Sequence, residues 1–263
     1  GSRHQVEALE QLCKIYEQER EWQSAIGSAE KLEVLAGKSL ALQIGYYYCE
    51  LAEQALARNE YTEAREFVKI AQSGRPRTQR GLLTRAKIAR HTNDKKIALR
   101  LYHRIVDDNS YLITEALPAM VELYERDNSL KLFDKELRDY LEKNPEMNID
   151  VAYTAIVNNL GGIGIIDECV QEYLLNEPTL TEFIDLQTVD AKNGRDRQKA
   201  LEKVREALSK LAATIPRYQC KECGFSSKAL LWQCPSCRDW ETQRPFTTVS
   251  FDSLLHRSGS SRM

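Results

Sequence analysis

Apolar and small residues recur along this chain at a spacing far longer than one helical turn. Ala25, Ala64, Ala98, Phe133, Ile166 and Ala200 follow one another at intervals of about 34 residues. The first two close matching stretches, Trp22-Gln23-Ser24-Ala25 and Tyr61-Thr62-Glu63-Ala64. Other positions keep phase with this series. Sixteen residues before the anchors stand Leu9, Tyr48, Leu82, Leu117, Asp150 and Ile184, and nine before them Tyr16, Ala55, Ala89, Tyr124, Val157 and Ala191. Twelve after them stand Gly37, Pro76, Ser110, Pro145, Pro178 and Ala212. Proline cannot continue a helix, so the three prolines of the last set end their units. The pattern predicts two helices per period. Small residues mark where the helices of a hairpin cross closely, and aromatics mark where the next unit must be filled.

A period of about 34 residues is that of the tetratricopeptide repeat, a helix–turn–helix unit. One unit cannot bury its own apolar face, so stacked neighbours must supply the core. The first four units are regular. The fifth and sixth are weaker in their first helix: Asp150 interrupts the apolar pattern, and Gly161-Gly162-Ile163-Gly164 makes a glycine-rich turn. The last helix is expected over Arg197–Leu211, stopping near Ile215-Pro216. The predicted domains are a repeat array at 3–216, a small unit at 217–242 and a tail at 243–263. The tail carries one short apolar run, Val249–Leu255, and a Ser- and Gly-rich end.

With 263 residues the chain suits one large domain or a repeat array with a satellite. A net charge of −2 names no partner. No run of about 20 apolar residues is present, so nothing in the sequence reads as a membrane-spanning helix. Gly1-Ser2 looks like the scar of a protease-cleaved tag, which implies a natural protein extending further toward its N-terminus. Three of the seven cysteines, Cys13, Cys49 and Cys169, lie in apolar helical patterns and read as buried reduced thiols in a reducing compartment.

The other four cysteines carry the chemistry. Cys220-Lys221-Glu222-Cys223-Gly224 is followed, ten residues on, by Cys234-Pro235-Ser236-Cys237. Two thiolate pairs at this spacing close a tetrahedral four-sulfur site. Gly224 suits the residue after the second cysteine, which often needs a positive φ, and Pro235 stiffens the second turn. Four protein ligands leave no open position for water or substrate, the arrangement of structural rather than catalytic zinc. One zinc ion is expected. Iron also fits four sulfurs, but no flavin or dinucleotide motif accompanies it. Phe225, Leu230, Leu231, Trp232 and Trp240 are more apolar groups than so small a unit can bury. They either form the core of the knuckle or dock it onto the repeats, and docking is the expectation.

No phosphate loop, HExxH, GxSxG or EF-hand motif occurs, so nothing supports catalysis. Charge is uneven, however. Residues 75–104 hold ten Lys or Arg against Asp94 alone, whereas 107–146 hold eleven Asp or Glu against five Lys or Arg. The basic stretch is either a solvated face pairing with its neighbour or a docking surface, with Arg85, Arg90 and Arg100 the candidates for holding an anionic partner. Nucleic acid is not expected, because the adjacent acidic unit would repel phosphates.

Six tetratricopeptide-like units ending in Tyr218-Gln219-Cys220-Lys221-Glu222-Cys223-Gly224-Phe225 and Leu231-Trp232-Gln233-Cys234-Pro235-Ser236-Cys237 resemble the lipopolysaccharide assembly protein B (YciM) family. The resemblance covers essentially the whole chain. It implies an all-α fold, a tetratricopeptide-repeat solenoid of about six helical hairpins, with a small C-terminal rubredoxin-like four-cysteine metal-binding domain. It further implies a non-enzymatic adaptor at the cytoplasmic side of the inner membrane, held there by an N-terminal anchor that this sequence lacks. Such an adaptor promotes degradation of the lipid A pathway deacetylase LpxC by the membrane protease FtsH. The knuckle alone also resembles the zinc ribbon of the RadA family of DNA-repair ATPases, but there it precedes a phosphate-binding loop. Arg238 departs from the rubredoxin pattern, which usually has Gly there. The competing functions are a generic peptide-binding scaffold and an iron-based electron carrier. The carboxylate-gripping positions of co-chaperone repeats correspond here to Glu10, Lys14, Glu50, Arg80 and Thr84, a poor match.

Overall fold

The structure, a computed structural model, describes residues 2–73, 76–176, 202–203, 205–207, 209–210 and 216–245. Ten helices among them follow the predicted period: α1 (Ser2–Glu19), α2 (Trp22–Ala36), α3 (Ala41–Ala57), α4 (Tyr61–Gln72), α5 (Gln79–His91), α6 (Lys95–Asp108), α7 (Ile113–Arg126), α8 (Leu130–Lys143), α9 (Asn148–Val157) and α10 (Gly164–Asn176). They make five consecutive helical hairpins. The sixth predicted hairpin lies almost wholly outside the described residues, although 202–203, 205–207 and 209–210 are helical. The tail from 246 also lies outside them.

Each hairpin turns by the same device. Arg20, Asn59, Asn93, Asn128 and Asn159 adopt left-handed φ values of 57°, 62°, 58°, 51° and 53°. Asparagine tolerates this conformation better than most residues, because its short side chain can bond locally. The amide of the following residue then donates back to a carbonyl five positions earlier: Glu21 to Tyr16 at 2.8 Å, Glu60 to Ala55 at 2.9 Å, Asp94 to Ala89 at 2.8 Å, Ser129 to Tyr124 at 2.9 Å. This is the Schellman closure of a helix end. Its acceptors are the phased residues nine before each anchor. In the fifth hairpin the acceptor is Ala155, at 2.8 Å from the Leu160 amide, rather than Val157. The glycine-rich stretch therefore lengthens the turn there, and α10 begins only at Gly164.

The five anchors among the described residues lie in the second helix of their hairpins and are sealed from solvent: Ala25, Ala64, Ala98 and Ile166 at 0% exposure, Phe133 at 1%. Aromatic rings fill the gaps between helices. Trp22 stacks on Tyr47, and Tyr124 on Phe133 with ring centroids 4.9 Å apart. Short 3-10 turns, Ser110–Leu112 and Pro145–Met147, lead into α7 and α9. Pro145 opens the second of them, where its fixed φ fits and its missing N–H costs nothing.

Two compact units divide the chain, Gly1–Ile105 and Val106–Met263, with the division inside α6. In the first, α1 packs on α2, α2 on α3, and α3 on both α4 and α5. In the second, α7 packs on α8 and α9, and α10 on α8 and α9. The second unit also holds a three-stranded antiparallel sheet of β1 (Tyr218–Cys220), β2 (Ser226–Ser227) and β3 (Gln243–Pro245), in the order β2-β1-β3. Tyr218 faces Ser227 on one side and Pro245 on the other. Strand β3 thus falls in the stretch read from sequence as tail. Among the described residues no helix is long and apolar enough to cross a membrane.

Candidate metal centre and its ties to the helices

The four-cysteine unit is built from two turns of the same shape. In the first, the Gly224 amide donates to the Cys220 carbonyl and the Cys220 amide to the Phe225 carbonyl, at 2.9 and 2.8 Å. In the second, the Arg238 amide donates to the Cys234 carbonyl and the Cys234 amide to the Asp239 carbonyl, both at 2.9 Å. Gly224 and Arg238 occupy the same place in their turns, with φ of 77° and 70°. No heavy atom crowds a Cβ at Gly224 closer than 4.0 Å, so its backbone conformation is what favours glycine. Arg238 takes the equivalent conformation with a side chain, at a cost of about 1 kcal/mol.

These turns bring together all four predicted sulfurs. Cys220 Sγ lies 3.7 Å from Cys237 Sγ, and Cys223 Sγ lies 3.5 Å from Cys234 Sγ. All four ligand atoms fall within 4.8 Å of one another, the one such cluster among the described residues. A metal–sulfur bond of about 2.3 Å places tetrahedral sulfurs about 3.8 Å apart, so the cluster has the size of a four-coordinate site.

Electrostatics point the same way. Burial opposes ionisation of Cys220. The Thr242 hydroxyl, 3.2 Å from its sulfur, and the amides of Glu222 and Cys223 outweigh that and bring the thiol down to about 6. The Phe225 amide likewise lowers Cys223. The Asp239 amide acts the same way on Cys237, but burial and the three neighbouring sulfurs prevail and push it up to about 12. Burial raises Cys234. Amide donors are therefore aimed at sulfurs that oppose one another's ionisation, and a cation among them would favour the thiolate forms. Cys220 and Cys234 are buried, Cys237 is half-buried and Cys223 is exposed. The four cysteines cluster as a metal-binding knuckle, and an ion taking all four sulfurs in a tetrahedron would keep no open position. The remaining cysteines are buried thiols. Burial pushes both Cys13 and Cys169 up to about 11.

Of the apolar residues predicted to dock the knuckle, Trp232 is buried, Leu230, Leu231 and Trp240 are half-buried, and Phe225 is exposed. Hydrogen bonds and ring contacts also reach the helices from Arg217, Tyr218 and Arg244. Tyr218 is 1% exposed, and its hydroxyl donates to the Glu115 carboxylate and lies 3.3 Å from Thr114 Oγ1. Arg217 donates from Nη2 to Thr154 Oγ1 at 3.0 Å and to the Thr114 carbonyl at 3.5 Å. Its guanidinium also faces the rings of Tyr153 and Tyr218, at 5.6 and 5.5 Å from their centroids. Arg244 sits 4.2 Å from the centroid of Tyr111. The Thr114 carbonyl is open to Arg217 for a local reason. Residue 118 of α7 is proline and has no N–H to offer it.

The sequence carried one clue to this joint. Tyr218 and Cys220 stand two apart on one face of β1, and both are buried. A strand that turns a ligand inward turns its aromatic neighbour to the same side. Arg217 and Arg244 carried no such signal.

Asp150, which breaks the repeat pattern, lies beside this joint. Burial pushes its carboxyl from the ordinary 3.8 to about 6, and Arg217 partly offsets the rise.

In the basic stretch, Arg80 is buried and bonds Glu50 at 2.8 Å and Glu53 at 3.5 Å, while Lys87 reaches Glu53 at 3.2 Å. Burial disfavours the Glu53 charge, but these two cations hold its carboxyl below the usual value. At least two of the ten basic residues are thus spent on internal pairs. Arg85 and Arg100 are exposed and Arg90 is half-buried.

Residues 218–245 match the rubredoxin metal binding domain family. The chain is homologous to proteins named lipopolysaccharide assembly protein B. It is 26% identical over 243 residues to that of Escherichia coli K12, a match covering 91% of this chain and 62% of the relative. The protein of the same name from Haemophilus influenzae is 27% identical over 243 residues, covering 90% of this chain and 60% of its own length. The chain therefore spans less than two thirds of the curated relatives it matches.

Proposed function

We propose that this chain is the docking part of a non-enzymatic adaptor in lipopolysaccharide assembly, acting at the cytoplasmic side of the inner membrane. Its partners in this reading are the deacetylase LpxC and the membrane protease FtsH, to which it presents LpxC for degradation. The helical hairpins act as a tetratricopeptide-type scaffold at 3–216. The knuckle is a structural zinc site held by Cys220, Cys223, Cys234 and Cys237. The observation that carries this reading is similarity over nine-tenths of the chain, through hairpins and knuckle together, to proteins named for lipopolysaccharide assembly. The closed four-sulfur geometry supports a structural ion, because it leaves no coordination position for a substrate.

The test replaces the cellular protein with one carrying Cys220→Ser and Cys223→Ser. LpxC is expected to accumulate and its half-life to lengthen, as read by immunoblot after synthesis is stopped. Normal LpxC turnover in that strain overturns the role of the knuckle in this function. Elemental analysis of the purified chain is expected to find one zinc per molecule. A red, iron-bearing protein with visible absorption favours the electron carrier instead.

A further inference from the structure

An open cleft of about 620 Å³ lies in the first unit, between α4 and α5 and the start of α6. Its floor is the top of the hydrophobic core. Val68 and Ile88 are each 3% exposed, and both belong to one buried cluster with Ala52, Ala55 and Ala64. Ile97 adds a half-buried aliphatic wall. The rim is cationic. Arg65 and Lys69 stand one turn apart on α4, and Arg85 faces them from α5. Arg65 and Arg85 are exposed and have no carboxylate partner among the described residues. Lys69 has only a 3.8 Å contact to Glu66, with both side chains mostly in water, a pairing worth little. Asp94 is the one acid lining the cleft among the described residues, and its carboxylate accepts the Ile97 amide at 3.2 Å, capping α6.

The geometry points to a docking site for an acidic segment of a partner protein that carries leucine or isoleucine between its carboxylates. Aliphatic side chains fill the floor, and Asp or Glu meet Arg65, Lys69 and Arg85 at the rim. A lipid headgroup would satisfy the rim alone and leave the apolar floor wet. Arg85, singled out by sequence, thus acts with residues of the preceding hairpin, and Arg90 and Arg100 do not line the cleft. This inference rests on reading the chain as a docking protein.

The probe is a fluorescein-labelled 16-residue peptide of Asp, Glu and Leu, with the leucines at helical spacing, titrated into the purified chain. Arg65→Glu with Arg85→Glu is expected to weaken binding at least about tenfold, and added salt to weaken it in the unaltered chain. Arg65→Gln with Arg85→Gln, the milder pair, is expected to weaken it less, with the helical circular dichroism unchanged. Unchanged peptide affinity in both pairs overturns the proposal. So does equal binding of a leucine-free acidic peptide, or of phosphatidylglycerol vesicles. These measurements use the chain alone. Their failure removes the cleft and leaves LpxC turnover to judge the adaptor, whereas unchanged LpxC turnover in cells lacking this protein, with peptide binding intact, removes the adaptor and leaves the cleft.

Discussion

Arg217→Ala puts the joint between the knuckle and the helices to the test. The side chain donates to Thr154, a hydroxyl with no solvent exposure, and lies over two tyrosine rings. A hydrogen bond from a charged group contributes about 1.5–3 kcal/mol, and each ring contact about 0.5–1 kcal/mol at a partly exposed site. The Thr114 bond, at 3.5 Å, adds little. Neighbouring terms do not add fully, so the expected loss is about 3 kcal/mol, all of it at the joint. The four ligands and the helical core are untouched.

Hydrogen exchange on the metal-loaded protein reads this directly. A 3 kcal/mol loss speeds exchange through joint opening by roughly a hundredfold. The affected amides should be those of β1 and α9, with α3 and α4 unchanged and metal content intact. Arg217→Lys keeps the charge but loses the planar group that lies over the rings, and should fall between. Exchange in β1 and α9 within threefold of the unaltered chain refutes the assignment of Arg217 to the joint.

Two further substitutions probe single positions. Asp150 is held above its ordinary value, so its contribution to stability is fullest below about pH 4 and is lost as pH rises to about 6. Asp150→Asn removes that loss. The urea midpoint should rise at pH 7 by an amount worth about 1 kcal/mol, after discounting for partial exposure, and the gain should vanish at pH 4. At the fourth hairpin turn, Asn128→Ala should cost about 1 kcal/mol in thermal or urea unfolding, because φ there is 51°. Asn128→Gly should be nearly neutral, and equal losses in both would show that the side chain matters rather than the backbone.

What could be read from the sequence follows the range of the physics. Hairpin positions were legible because helix crossing and turn closure act within one period and repeat. The turns were more legible than the anchors alone suggested. Asn59, Asn93, Asn128 and Asn159 recur at nearly the same interval and take the same left-handed conformation. The fifth unit departs because Gly161 and Gly162 lengthen its turn, which shifts the closing carbonyl from the phased Val157 to Ala155. Asp150 looked like a broken repeat, yet it sits in helix α9 near an arginine from the knuckle. The metal ligands were legible because two short turns set their geometry locally.

The polar partners of the joint were not legible, since they lie far apart in the chain. Thr114 and Tyr218 are separated by 104 residues, and Arg217 and Thr154 by 63. Counting surplus apolar groups in the knuckle pointed to a hydrophobic seam. Hydrogen bonds and ring contacts across it also come from Arg217, Tyr218 and Arg244. Polar groups suit this place for a physical reason. Pro118 leaves the Thr114 carbonyl without its helical donor, and Thr154 presents a sealed hydroxyl. Covering either with a purely apolar surface would leave unmet polar atoms, at about 1–3 kcal/mol each. A single guanidinium reaches both sites, and it lies over tyrosine rings from each side of the joint. An ion bound there would do more than hold four sulfurs together. By fixing β1 it would fix the backbone from which Tyr218 and its neighbour Arg217 project, so metal removal is expected to loosen the joint with the helices as well as the knuckle.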